Sequence, residues 1–126
     1  MSLWAIKCFV SSGIDVMESW YVDLPPEAQA KFDTIVKHMK NNEHSHWNPN
    51  IVRPLVGYAG ILEVRFRIRN VLYRPLGCFG PSRRDFTFLI PAREHGDAFE
   101  PKSAPEIAVK RKALIHLEGN TCECQF

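Results

Sequence analysis

From Leu62 to Arg69 apolar and charged residues alternate strictly, with Leu62, Val64, Phe66 and Ile68 in one set and Glu63, Arg65, Arg67 and Arg69 in the other. That alternation is the period of a strand with one apolar and one polar face. The polar face carries planar guanidinium forks that match phosphate oxygens bidentately and stay charged at neutral pH. A second run, VLYRPLGCF over 71–79, brings Arg74, and Arg69-Asn70 between the two runs has the length of a hairpin turn. Counting outward from that turn sets Ile68 opposite Val71, Phe66 opposite Tyr73 and Arg65 opposite Arg74. Guanidinium groups placed side by side repel each other unless an anion sits between them. The hairpin over residues 61–79 is therefore suited to gripping RNA phosphates. The alternative is a solvated sheet face on which Glu63 and other carboxylates neutralise the arginines.

Further residues extend that chemistry. His95 follows the last expected strand beside Arg93 and Glu94, and histidine is the side chain best placed to move protons near pH 7. Metal-free RNA cleavage needs a 2′-hydroxyl deprotonated, a leaving oxygen protonated and extra charge stabilised on phosphorus, which one histidine and several arginines can supply. The catalytic candidates are His95, Arg65, Arg74 and Arg93, the alternative being that His95 is an ordinary polar residue near a strand end. The RNA-binding candidates are Arg65, Arg67, Arg69, Arg74 and Arg93, with Lys110 added from the basic run Lys110-Arg111-Lys112. His38, His44 and His46 match no standard zinc spacing, and Cys122-Glu123-Cys124 alone is a poor metal site, so no metal and no cofactor is expected.

The elements that must position these groups fit one domain, since 126 residues hold one core. The segment 51–95 contains eight arginines and no lysine against three acids, a net of +5 in a chain whose total is +2. That asymmetry suits one anionic partner surface. Residues 3–10 read as a strand, 15–24 as a short amphipathic helix, and 25–42 as a longer helix with Ala28, Phe32, Ile35, Val36 and Met39 on one face. A loop over 43–60 precedes strands at 61–69, 71–79 and 85–92. Ser103-x-x-Glu106 has the form of a capping box before a final helix, with Gly119 as its stop and 119–126 as a flexible tail. The expected order is β-α-α-β-β-β-α within a single α+β domain, 1–126. No apolar run reaches the ~18 residues of a membrane span, and the start MSLWAIKCFV lacks a signal-peptide pattern. A cytoplasmic protein is expected, with Cys8, Cys78, Cys122 and Cys124 as reduced thiols.

Several of these residues together resemble the phage-derived HigB-like branch of the RelE/ParE toxin superfamily. The resemblance is carried by Leu24-Pro25 at a helix start, by Gly60-Ile61-Leu62-Glu63-Val64-Arg65-Phe66, by Tyr73-Arg74-Pro75-Leu76 and by Glu106-Ile107-Ala108-Val109-Lys110-Arg111. It runs from about Trp4 to Leu117, in the family's order. It implies a RelE/ParE-like fold in which two N-terminal helices pack on a small antiparallel sheet. It also implies the toxin of a type II toxin–antitoxin system, a ribosome-dependent mRNA endonuclease in which Arg65 and Arg74 hold phosphate and His95 serves catalysis. The partners implied are a cognate antitoxin and mRNA on the ribosome, with a homo-oligomer left open. The chain departs from the pattern at Pro91, where members carry a strand histidine, and at Glu94 and Asp97, where lysines are expected. Two other readings accommodate those departures: a ParE-like toxin that binds DNA gyrase without catalysis, and an inactive phage-derived remnant that only binds a partner protein.

Overall fold

The computed structural model describes residues 2–126. In chain order it forms β1 (Ala5–Ser11), β2 (Ile14–Asp15), α1 (Glu18–Val22), α2 (Pro26–Asn41), β3 (Val52–Pro54), β4 (Leu62–Val64), β5 (Phe66–Ile68), β6 (Val71–Tyr73), β7 (Leu76–Phe79), β8 (Asp85–Ile90), β9 (Arg93–His95), β10 (Ala98–Glu100), α3 (Ala104–Lys112) and β11 (Thr121–Glu123). The larger of two sheets runs β11-β1-β8-β7-β4-β3, with β2 joined to β1, and the smaller runs β10-β9-β6-β5. The helix α2 buries the expected stripe of Ala28, Phe32, Ile35, Val36 and Met39. That stripe packs on Ile6, Cys8, Phe86 and Phe88. On the other face of the same strands, Phe9, Cys78 and Leu89 pack with Ala104 and Ala108 of α3. Neighbouring strand residues point to opposite faces, so the larger sheet is a filling between α2 and α3.

This overturns the expected RelE/ParE-like α+β arrangement of two N-terminal helices on a small antiparallel sheet in the order β-α-α-β-β-β-α. The described residues form a mixed α/β fold dominated by strands, with eleven of them in two sheets and three α-helices. Of the two expected N-terminal helices, α1 spans only Glu18–Val22 and buries none of its residues. The helices that build the core are α2 and α3, one on each face. β1 lies parallel to β8, pairing Ala5 with Asp85 and Cys8 with Phe88, a long-range contact that leaves no local pattern in the sequence.

The expected hairpin strands 61–69 and 71–79 are each cut in two, because their backbones change sheets. The Val64 amide donates to the Pro75 carbonyl at 2.9 Å, but the Arg65 amide turns to Ile51 and the Arg74 amide to Ala92. Pro75 has no N–H to continue a ladder, and it stands where β6 of the smaller sheet gives way to β7 of the larger one. The run 85–92 likewise ends at Ile90, and Arg93–Glu100 forms an additional hairpin, β9–β10, in which Ala98 pairs with His95. The capping box does not form: Ser103 makes no side-chain cap, and Glu106 instead accepts a 2.6 Å hydrogen bond from the Tyr58 hydroxyl.

The segment 119–126, expected as a flexible tail, carries β11, which pairs antiparallel with β1 in the register Lys7–Glu123, Cys8–Cys122 and Phe9–Thr121. Its Phe126 ring stacks on Tyr21 at 5.0 Å and meets Phe32 at 4.9 Å. Contrary to the expectation of four reduced thiols, Cys8 and Cys124 are joined in a disulfide, and Cys78 and Cys122 are free. Burial and strand pairing hold those two sulfurs together at residues 116 positions apart in the chain, a proximity that cysteine spacing does not reveal. Among the described residues no helix is long and apolar enough to cross a membrane.

Candidate nucleic-acid interface

The turn residues shape the hairpin first. Arg69 adopts φ 54° at the tip, and the tight turn sets Ile68 against Val71 and Phe66 against Tyr73, as counting outward predicts. The Phe66 ring stacks on Tyr73 at 5.0 Å and packs on Phe32 of α2. Arg67, between Phe66 and Ile68, faces away from that core and is exposed.

The predicted opposition of Arg65 and Arg74 is not a ladder pair, since their amides bond to Ile51 and Ala92. Their side chains converge instead on Glu63, which is 2% exposed. Arg74 donates from Nε to Glu63 Oε2 at 2.8 Å, and its Nη2 lies 2.7 Å from the same oxygen. Arg53 of β3, the cross-strand neighbour of Glu63, donates from Nε to Oε1 at 2.9 Å. Arg65 Nη1 sits 3.6 Å from Oε1. One carboxylate therefore serves three guanidinium groups. A carboxylate at this depth is tolerable only because it is paired and hydrogen-bonded.

Arg74 is the most enclosed of the three. Its side chain is 14% exposed, its Nη1 is 3.5 Å from Glu94 Oε1, and its guanidinium lies 3.9 Å from the centre of the Phe99 ring. That set of contacts makes Arg74 a structural cation more than a free phosphate ligand. Arg53 and Arg65 share their single carboxylate and keep donors to spare.

Beside them, a cleft of about 360 Å³ is lined by Lys31, Asn50, Arg53, Arg65 and Arg67 together with the apolar Ile51, Phe66 and Leu72. No carboxylate lines it. Lys31 and Arg67 make no ion pair among the described residues. Four cationic side chains thus line an acid-free hollow, where their charges favour an anion. Arg53 also borders a second hollow that contains Glu63 and Arg74. Lys31 and Arg53 lie outside the set of RNA-binding candidates that the hairpin's alternation points to. Arg53 belongs to the arginine-rich segment, which was a usable signal, whereas Lys31 is one of several lysines on the polar side of α2 and carries none.

The remaining candidates are dispersed. Arg69 is paired with Glu27 of α2 at 2.7 Å. Arg93 lies across from Tyr73, so the two share one face of the smaller sheet, and Arg93 Nε is held by Glu100 at 2.8 Å. His95, two residues along on that same face, is 78% exposed with Nδ1 3.6 Å from Glu100. Glu94 between them points to the opposite face, where it meets Arg74. The expected catalytic set is therefore divided, with Arg93 and His95 on one face and Arg74 on the other. Lys110 is exposed on α3 and lines neither hollow. His38, His44 and His46 do not converge: His44 packs on Trp47 and Phe79, while His38 Nε2 is 3.4 Å from the His46 carbonyl oxygen. Among the described residues no group of three or more His, Cys, Asp or Glu side chains is placed to hold a metal ion. No family model matches this chain, and neither a curated protein nor a solved structure matches it significantly.

Proposed function

We propose that the protein is the toxin of a type II toxin–antitoxin system and acts on mRNA at the ribosome, holding the RNA backbone in the cleft of Lys31, Arg53, Arg65 and Arg67. The observation that carries this reading is the acid-free ring of four cations around that cleft. Phosphate contacts of this kind give affinity without sequence preference, and the ribosome then supplies the register of the RNA. The resemblance of Gly60–Phe66 and Tyr73–Leu76 to HigB-like strands supports the toxin assignment, and a cognate antitoxin follows from it. In the cleaving form of this reading, the RNA provides its own 2′-hydroxyl nucleophile, Arg93 stabilises the charge on phosphorus and His95 on the same face moves a proton, while the cleft, which neither residue lines, grips the RNA away from the cut.

A second reading, a toxin that poisons by binding alone as a gyrase-binding toxin does, is favoured by one observation. His95 and Arg74 sit on opposite faces of the smaller sheet, so the expected catalytic set does not close on one phosphate.

The Lys31→Ala/Arg67→Ala double variant tests the grip, because both side chains are exposed and make no ion pair whose loss would disturb folding. Binding of a single-stranded RNA oligonucleotide, followed by fluorescence anisotropy across salt concentrations, is expected to weaken, with the salt slope falling by about 0.7 for each lost phosphate contact. The same variant is expected to relieve growth arrest on induction in bacteria. Unchanged affinity, slope and arrest together would discard the cleft. His95→Ala separates the two readings by mapping of mRNA 5′ ends: cuts within reading frames that vanish in the variant support cleavage, and arrest with intact mRNA in both proteins supports binding alone.

A further inference from the structure

Three of the four cysteines meet on one face of the β1–β11 pair. Cys8 is bonded to Cys124, with their Cα atoms 5.3 Å apart. The residue directly across the ladder from Cys8, however, is Cys122. Directly opposed residues of an antiparallel pair share a face with Cβ atoms about 4.5–5.5 Å apart, so a small approach of the two strands brings them to the roughly 3.5–4.5 Å of a disulfide. Cys122 and Cys124 are two residues apart on one strand and so point the same way, and both pack against the core that contains Cys8. Cys122 keeps a free thiol, which donates to Asp15 Oδ2 at 3.5 Å.

We propose that Cys8 is shared between two disulfide partners, Cys124 and Cys122, which trade places by thiol–disulfide exchange within the chain. The Cys122 thiolate attacks the Cys8 sulfur, the Cys8–Cys122 bond forms as the Cys8–Cys124 bond breaks, and Cys124 departs as the thiolate. The proton that Cys122 gives up to water is regained from water by Cys124. One disulfide and one thiol are present before and after, so the step needs no oxidant or reductant. Desolvation, reinforced by Asp15, Glu18 and Glu123, pushes the Cys122 thiol up to about 11. Little thiolate exists near neutral pH, which makes the exchange slow there and faster in mild alkali.

The exchange moves the covalent anchor two residues back from the C-terminal end. With Cys124 bonded, Phe126 is held over Tyr21 and Phe32. With Cys122 bonded, residues 124–126 are tied only by their own contacts, and Phe126 can leave the apolar surface made by α1 and α2. The device is a latch with two positions.

The full chain, kept free of added reductant and oxidant, is incubated at pH 8.5, quenched in acid, alkylated and digested, and its linked peptides are quantified by mass spectrometry. The expected result is both Cys8–Cys124 and Cys8–Cys122 peptides, with alkylation of Cys122 and Cys124 in complementary amounts. Recovery of Cys8–Cys124 alone with Cys122 fully alkylated overturns the proposal, as does the absence of any Cys8 disulfide. Hydrogen exchange adds a second reading: Cys122→Ser locks the latch, so residues 124–126 exchange more slowly than in the wild type. Equal exchange in the two proteins counts against the two-position latch.

Discussion

Glu63 holds the arginines in place and also competes with any phosphate for them. Its carboxylate is buried and takes hydrogen bonds from Arg53 and Arg74 while lying near Arg65. Replacing it by glutamine keeps the shape but leaves the enclosed Arg74 guanidinium without its main counter-charge. Loss of one partner from a buried pair destabilises by roughly 3 kcal/mol or more, so Glu63→Gln is expected to lower the urea midpoint clearly without changing the slope of the transition. In the fraction that remains folded, RNA binding should move the other way: Arg53 and Arg65 no longer share a carboxylate, and affinity for single-stranded RNA rises. A variant that is destabilised and also binds RNA more weakly would show that Glu63 orients the arginines for their ligand instead of competing with it. The alternation of Glu63, Arg65, Arg67 and Arg69 made the charged face legible in the sequence, and with it the prospect that Glu63 neutralises its neighbours. Which arginines it takes was not legible, because Arg53 reaches it from β3 and Arg74 from beyond the hairpin turn, and neither distance has a local signature.

At the scale of elements, the outcome turns on where strands stop. The register Phe66–Tyr73 follows from the turn alone, so the inner half of the hairpin could be read by counting. The outer half could not, since Arg65 and Arg74–Pro75 are where the chain passes from one sheet to the other; Pro75 was the visible mark of that break. Gly77, just beyond it, sits at a register shift between β7 and β8. A Cβ there would lie 2.6 Å from the Phe86 ring and 2.7 Å from the Thr87 carbonyl oxygen. The ring cannot retreat, because Phe86 is fully buried and packed edge-on against Phe79 and Phe88. Overpacking of this kind typically destabilises by about 1–3 kcal/mol. Gly77→Ala is therefore expected to lower the melting temperature by several degrees, whereas Gly57→Ala, whose Cβ meets nothing within 4 Å, loses only the ease of its positive φ. A loss at Gly77 no larger than that at Gly57 would show that small shifts relieve the Phe86 and Thr87 contacts.

At the scale of the whole molecule, the Cys8–Cys124 bond ties the first strand to the last, spanning 116 residues. A cross-link that closes so long a loop restricts the unfolded chain strongly, and removal of such a bond typically lowers stability by about 2–4 kcal/mol. Cysteine count could not reveal it, since the partners are brought together by the return of the chain to pair β11 with β1, a long-range contact with no local pattern in the sequence. The consequence for stability depends on whether Cys122 can stand in for Cys124. If it can, Cys124→Ser refolded with a glutathione redox couple recloses through Cys8–Cys122 and keeps most of the stabilisation, because the closed loop is nearly as long. The Cys122→Ser/Cys124→Ser double variant has no partner for Cys8, so its unfolding free energy should fall by the full amount and become insensitive to reductant. The measurement is the urea midpoint of each protein with and without dithiothreitol. The ordering expected is wild type, then Cys124→Ser, then the double variant under oxidising conditions, with all three converging once reduced. Coincidence of the single and double variants before reduction would show that Cys124 alone can close the chain.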